Sequence, residues 1–260
     1  MIERVDRPDD PRISDYTHIG EPAWLRQHGL FVAESRQVVS RLIASGAYRI
    51  RSILLTPPAL AAMGEILAAA PTYVADQAVL NDVTGFTFHR GCLAIVERPA
   101  PGALSLAGMA CLLVMERIGN PDNVGGLFRT GAAFGVDAIL LSPGCADPFY
   151  RKAIRTSMGA VLSLPSEVVE PWPGGLERLK DEGFRVVALT PRAEAIPLNT
   201  VRLEAERVAL LVGAEGPGLS DDALAAADLL VRIPMASGVD SLNVTVAAGV
   251  ALSHVVARRT

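Results

Sequence analysis

Residues 232–254 read RIPMASGVDSLNVTVAAGVALSH, and the rest of the chain is organised around this stretch. A short apolar strand, Leu229 to Ile233, runs into Pro234, which has no N–H to give a sheet ladder. The loop Met235 to Asp240 carries Gly238 and small side chains, so its backbone can come close to a ligand. A helix opens at Ser241 or Asn243, both good N-caps. It continues through Val244, Val246, Ala247, Val250, Ala251 and His254 to Arg258 and Arg259. That helix is apolar on nearly every side, the pattern of a buried one. A polar Ser-Leu-Asn triplet at its mouth is costly unless it bonds something. A plain helix cap is the alternative reading.

Working outward, apolar strands alternate with helices. Strands are expected at Cys111–Met115, Ala138–Leu141, Val161–Leu164, Arg185–Leu189 and Val208–Val212. Near-continuous apolar strands separated by helices imply a parallel sheet covered on both faces. Two of the intervening loops carry unusual residues. NPDNVGGLFRTGAAFGV (Asn120–Val136) places Asn123 as a helix cap and Arg129 within two turns of it, with Gly135 as terminator. Gly125 and Gly126 let a substrate or another backbone approach. The purely structural alternative for Arg129 is an ion pair with Glu116 or with a C-terminal carboxylate. LLVGAEGPGLS (Leu210–Ser220) is a glycine-rich turn that sets one acid, Glu215, at the end of a buried strand. All three loops lie beyond the carboxyl ends of strands, where open α/β sheets bind ligands. A dinucleotide-binding domain is disfavoured, because no GxGxxG follows a strand. Gly126 to Gly131 has the glycine spacing of a phosphate loop without the Lys-Ser/Thr that must follow.

The first hundred residues have a different texture. Met1 to Arg26 reads as an irregular leader, with His18 and Trp24 in it and His28 beside it as packing or surface residues. An α/β pattern begins at Gly29. Strands are expected at Leu30–Ala33, Ile50–Leu55, Tyr73–Ala75 and Cys92–Val96. The helix Glu34–Ser45 turns Val38, Val39, Leu42 and Ile43 inward and stops at Gly46, and a second helix starts at Thr56-Pro57-Pro58. Residues 1–97 therefore read as a leader plus a compact domain, 98–108 as a Pro/Gly-rich linker, and 109–260 as a second domain. Arg36, Arg41, Arg49, Arg51 and Arg90 could form a basic face on the first domain. A further cluster, Arg151, Lys152 and Arg155, lies in DPFYRKAIRTSMG (Asp147–Gly159) and suits either phosphate contact or a solvated helix face.

Composition bounds the options. A length of 260 residues fits one large domain or two modest ones. No apolar run approaches the ~20 residues that span a bilayer, and the acidic N-terminus has no apolar signal region. Cys92, Cys111 and Cys145 are isolated, without a CxxC pair, as expected of buried thiols in the reducing cytoplasm. A net charge of −4 disfavours a nonspecific nucleic-acid binder, so RNA binding would need a local basic face.

The three motifs, in this order, resemble those of the SpoU/TrmH branch of the SPOUT methyltransferases, which move a methyl group from S-adenosylmethionine to a ribose 2′-hydroxyl of RNA. The resemblance spans the second half of the chain. It implies an α/β parallel-sheet domain with a deep trefoil knot, and a homodimer whose active sites are shared. It maps the family's catalytic positions onto Asn123, Arg129, Glu215, Ser241 and Asn243, and its cofactor contacts onto Thr190, Gly213, Ile233, Met235 and Leu242. The Arg155-Thr-Ser157-Met-Gly159 element is similar to a family loop. With it, Arg36, Arg41, Arg151, Lys152 and Arg155 are expected to touch RNA. FVAESRQVVSRLIASGAYRIRSILLT (Phe31–Thr56) resembles the L30e/L7Ae-like RNA-binding domain of members that modify ribosomal RNA. The expectation is an rRNA ribose methyltransferase, with a tRNA enzyme or a noncatalytic RNA-binding protein as alternatives. No metal is expected, because a sulfonium methyl is already a good electrophile.

Overall fold

A computed structural model of the chain describes all residues except 1, 65–69, 101, 202–206, 240 and 257–260. These divide into two compact units, residues 1–100 with 149–162, and residues 101–148 with 163–260.

The first unit holds a five-stranded sheet of β1 (Ile2–Arg4), β2 (Leu30–Glu34), β3 (Ile50–Leu55), β4 (Thr72–Val74) and β5 (Cys92–Glu97), in the order β1-β4-β3-β5-β2. β4 runs parallel to β1 and β3, while β5 runs antiparallel to β3 and β2. The helices α1 (Pro22–Gln27), α2 (Arg36–Ser45), α3 (Pro57–Met63) and α4 (Gln77–Thr84) complete the N-terminal part. Ser35 caps α2 by accepting from Val38 N, and Gly46 ends it in the left-handed conformation at φ 60°. Thr56 stands at the cap position of α3, but its hydroxyl donates to the Gly91 carbonyl instead.

The supposed leader is part of this fold. Ile2–Arg4 adds a strand beside β4, and Pro11–His18 forms a 3-10 helix. Ile13, Tyr16, Ile19 and Leu25 are buried, and the Tyr16 hydroxyl bonds Ser52 Oγ at 2.9 Å inside the core. Neither a three-residue strand nor a 3-10 turn has a period long enough to register in sequence. His18 and His28 stack on Trp24, at 4.0 and 3.9 Å between ring centroids.

Residues 149–162 also belong to the first unit rather than the second. Phe149 packs 5.0 Å from Phe31 and 6.3 Å from Tyr48, with the Arg98 guanidinium over its ring. The strand expected at Val161–Leu164 is absent. Ala160–Leu162 is a buried 3-10 turn that follows the positive-φ pair Met158 and Gly159, and the strand comes later, at Ser166–Val168. Val161 and Leu162 are apolar because they fill a core, not because they lie in a sheet.

The second unit carries β6 (Cys111–Glu116), β7 (Ala138–Leu141), β8 (Ser166–Val168), β9 (Phe184–Leu189), β10 (Ile196–Pro197), β11 (Arg207–Gly213) and β12 (Leu229–Arg232). Their order is β10-β12-β9-β11-β6-β7-β8, and every pairing is parallel. Its helices are α5 (Pro121–Ala133), α7 (Gly175–Asp181), α8 (Asp221–Ala226) and α9 (Val244–Val256), while α6 is the Arg151–Thr156 helix of the first unit. Part of the expected linker is held here. Leu106 is buried in the core, the Leu104 carbonyl accepts from Arg178, and Arg207 donates to the carbonyls of Leu106 and Met109. Contrary to expectation, α9 is not buried all round, because Val246 is 53% and Val250 41% exposed. Arg258 and Arg259 lie outside the described residues.

Candidate functional site

The site starts with the helix that follows β6. Asn120, not Asn123, is the N-cap of α5, accepting from Asp122 N at 2.9 Å with Pro121 in the first turn. Asn123 therefore sits one turn inside the helix and is buried. The cap of α9 is Asn243, whose side-chain oxygen accepts from Thr245 N at 2.9 Å and whose carbonyl accepts from Ala247 N. The same side chain also reaches outward. Its amide nitrogen donates to Asn123 Oδ1 at 3.1 Å and to Glu215 Oε1 at 2.6 Å. The plain-cap reading thus holds for the Asn243 oxygen and fails for its nitrogen, which ties the three motifs together.

Two glycines permit this closeness. A Cβ on Gly126 would come within 2.8 Å of Thr245 Oγ1, so α5 and α9 cross where one side has no side chain. A Cβ on Gly213 would lie 2.4 Å from the Gly218 carbonyl carbon. The turn folds back on itself there, closed by Gly218 N donating to Ala214 O at 2.9 Å. The turn itself, independent of any ligand, requires glycine at 213.

Beside this turn lies a cavity of about 390 Å³. Leu189, Val212, Ile233, Leu242, Val244 and Ala247 give it apolar walls, and Thr190, Gly213, Met235 and Ser241 complete them around Glu215. All five expected cofactor contacts line this cavity, and so do Glu215 and Ser241. Val212, Val244 and Ala247 were not singled out in sequence, because strand-end and helix-start apolar residues look like any other core. A neutral aromatic base between apolar walls, with a cationic group near one carboxylate, suits this lining.

Arg129 is different. It is exposed on α5, does not line the cavity, and forms no hydrogen bond or ion pair among the described residues. Glu116 is not its partner. That acid is 1% exposed and accepts from Trp172 Nε1, Ser220 N and Ser220 Oγ.

The five basic residues expected to touch RNA all fall in the first unit. Arg36 lines a second cavity of about 500 Å³ with Ser35, Gln37, Ser40, His89 and Arg90. His89 escaped the sequence reading, since a lone exposed histidine carries no pattern. Arg41 donates to the Met158 carbonyl at 2.6 Å. Arg151 lies over the Phe86 ring and 3.9 Å from the buried Glu34, which Arg90 also approaches at 3.3 Å. One acid therefore offsets part of the charge of two arginines. Lys152 and Arg155 are half-buried on α6.

Residues 110–253 match the SpoU rRNA Methylase family. A Mycobacterium tuberculosis protein described as an uncharacterised tRNA/rRNA methyltransferase is 41% identical over 260 residues, covering 96% of this chain and 90% of that protein. A solved RNA 2′-O ribose methyltransferase superposes with a TM-score of 0.82 at 28% identity, over 98% of this chain and 99% of its own. An rRNA methyltransferase of Sinorhizobium meliloti, solved with S-adenosylmethionine bound, has the same fold with a TM-score of 0.83 at 24% identity, over 99% of this chain and 98% of its own. With more than half of its residues matched and a relative of this similarity along nearly its full length, the chain belongs to the SpoU rRNA Methylase family.

Proposed function

We propose that this chain transfers a methyl group from S-adenosylmethionine to a ribose 2′-hydroxyl of ribosomal RNA. The observation that carries the reading is the hydrogen-bonded set Asn123–Asn243–Glu215, which joins residues far apart in sequence and whose Glu215 lines an apolar cavity. Family membership and the 2′-O ribose activity of a 28% identical relative support it. When bound, S-adenosylmethionine supplies an activated methyl on a sulfonium.

The residues of the chain handle the other reactant. A ribose hydroxyl is a weak nucleophile that sheds its proton as its oxygen attacks. That proton passes to water or to a neighbouring RNA phosphate oxygen, because a guanidinium is a poor base. Arg129 instead stabilises the developing alkoxide by charge and hydrogen bonding. Asn243, fixed by Asn123 and by its own cap bond, holds Glu215 in place, and Ser241 lines the same wall. Together they hold the reacting groups in line, which is where most of the rate gain of a positioning site arises.

The same reading gives the first unit, an L30e/L7Ae-like domain, the task of gripping RNA through Arg36, Arg41, Arg151, Lys152 and Arg155. It also includes a trefoil crossing of the chain after β12, a homodimer formed over the exposed Val246 and Val250 face of α9, and a cytoplasmic location. Packing of α9 against β11 and α5, two strands inward of β12, supports the crossing. The buried Cys92 thiol, outside any disulfide, supports the location.

Tritium transfer from labelled S-adenosylmethionine into total RNA, with nuclease mapping, tests the function. Label on a ribose of ribosomal RNA is expected. Label on tRNA would make the chain a tRNA enzyme, and no transfer beside intact cofactor binding would leave only RNA binding.

A further inference from the structure

We propose that Glu116 is a positioning residue for the methyl-donor pocket. It acts by closing the base of the glycine-rich turn that presents Glu215. The inference rests on reading the 390 Å³ cavity as the S-adenosylmethionine site.

Glu116 ends β6, directly beside Gly213 at the end of β11. It is almost completely buried. A buried carboxylate persists only where donors meet it, and three do. Ser220 N donates to Oε2 at 2.8 Å, Ser220 Oγ donates to Oε1 at 2.6 Å, and Trp172 Nε1 donates to Oε1 at 2.8 Å. Ser220 is the residue at which the turn ends, and its hydroxyl also caps α8 by accepting from Ala223 N. The turn therefore leaves the sheet at Gly213, beside Glu116, and returns to Glu116 at Ser220. Between those two points lie Gly213, Ala214, Glu215, Gly216 and Gly218, all of which line the cavity. Gly213 already touches the Gly218–Leu219 backbone, so the turn has no slack to absorb a shift at its base. Glu116 touches neither cavity nor reactant. Its influence passes through Ser220 to the placement of Glu215 against Asn243.

Isothermal titration of the full chain with S-adenosylhomocysteine tests this. Glu116→Gln keeps the size of the side chain but turns an amide N–H₂ toward a donor that cannot accept, either Ser220 N or Trp172 Nε1. We expect one site per chain with affinity weakened about tenfold or more, the scale for losing a charged buried hydrogen bond. A purely structural role would instead lower the number of binding sites while leaving the affinity of the folded fraction unchanged. Unchanged affinity, at full or at reduced stoichiometry, overturns the proposal. Should Glu116→Gln fail to fold, Ser220→Ala reads the same contact from the other side. Weakened affinity at full stoichiometry supports the inference, and native affinity sinks it. If the native chain itself does not bind S-adenosylhomocysteine, the failure lies with the pocket reading and not with Glu116.

Discussion

Arg129 is exposed and without a partner among the described residues. Arg129→Ala should leave S-adenosylmethionine affinity within about 1 kcal/mol of native in a titration. Single-turnover methylation on saturating RNA should fall about 100-fold or more, and Arg129→Lys should not restore it, since a point charge lacks the guanidinium fork. A near-normal rate in the Ala variant would remove Arg129 from the chemistry. Gly213 behaves in the opposite way. Gly213→Ala pushes a methyl into backbone, so melting temperature and cofactor affinity should fall together in calorimetry and titration. A loss of affinity at native stability would contradict the turn described above. Burial raises the Cys92 thiol to about 12, from 9.0 when free. Its contribution to stability is therefore complete below pH 9 and is lost as pH rises through about 12. Alkylation near pH 7.5 should spare Cys92 in the native chain and reach it after unfolding, as peptide mass mapping would show. Glu215 and the Ser-Leu-Asn triplet at 241–243 stood out in sequence as polar groups among apolar residues, whereas the apolar cavity wall had no local signal and its expected members rested on the family resemblance. Glu116 was noticed only as a partner for Arg129, because a buried acid and an exposed one look alike in sequence.

At the scale of the element, the crossing of α5 over α9 depends on a missing side chain. Gly126→Ala would drive a methyl into Thr245, whose branched side chain stands close to its own backbone. We expect a loss of about 1–3 kcal/mol in denaturant unfolding. Removing the obstructing atoms with Thr245→Ala in the same chain should recover most of it, and equal stability of both variants would show that the helices separate freely. Most strands of the second unit could be read from their apolar runs, since parallel strands buried on both faces leave a continuous signal. The elements that were misread share a cause. Pro11–His18, Ala160–Leu162 and Ile2–Arg4 are too short for periodicity, and their residues are fixed by tertiary packing.

For the whole molecule, the exposed Val246 and Val250 give the proposed dimer its test. Val246→Glu with Val250→Glu should shift sedimentation from dimer to monomer and abolish methylation. A native chain that is monomeric at micromolar concentration and active would refute the shared site. The division of the chain also alters how the RNA-binding role can be examined. Deleting residues 1–98 would strip Phe149 of Phe31, Tyr48 and Arg98 and leave an apolar segment in water. That truncation should aggregate in light scattering, whereas Arg36→Glu with Arg41→Glu should weaken RNA binding and keep cofactor affinity. Composition pointed to a break near residues 98–108, but nothing in it set residues 149–162 with the first unit. Nothing local distinguishes an apolar residue that fills its own domain from one that fills another.

Phe149 has a consequence for biosynthesis. A polypeptide leaves the ribosome from its N-terminus, and domains generally fold in that order. Here the first hundred residues emerge with Phe31 and Tyr48 still lacking their aromatic neighbour, which is translated only after β6, α5 and β7. The N-terminal unit therefore cannot complete its core until much of the second unit's sequence has been made, and for that interval the nascent chain carries an apolar surface that a chaperone can recognise.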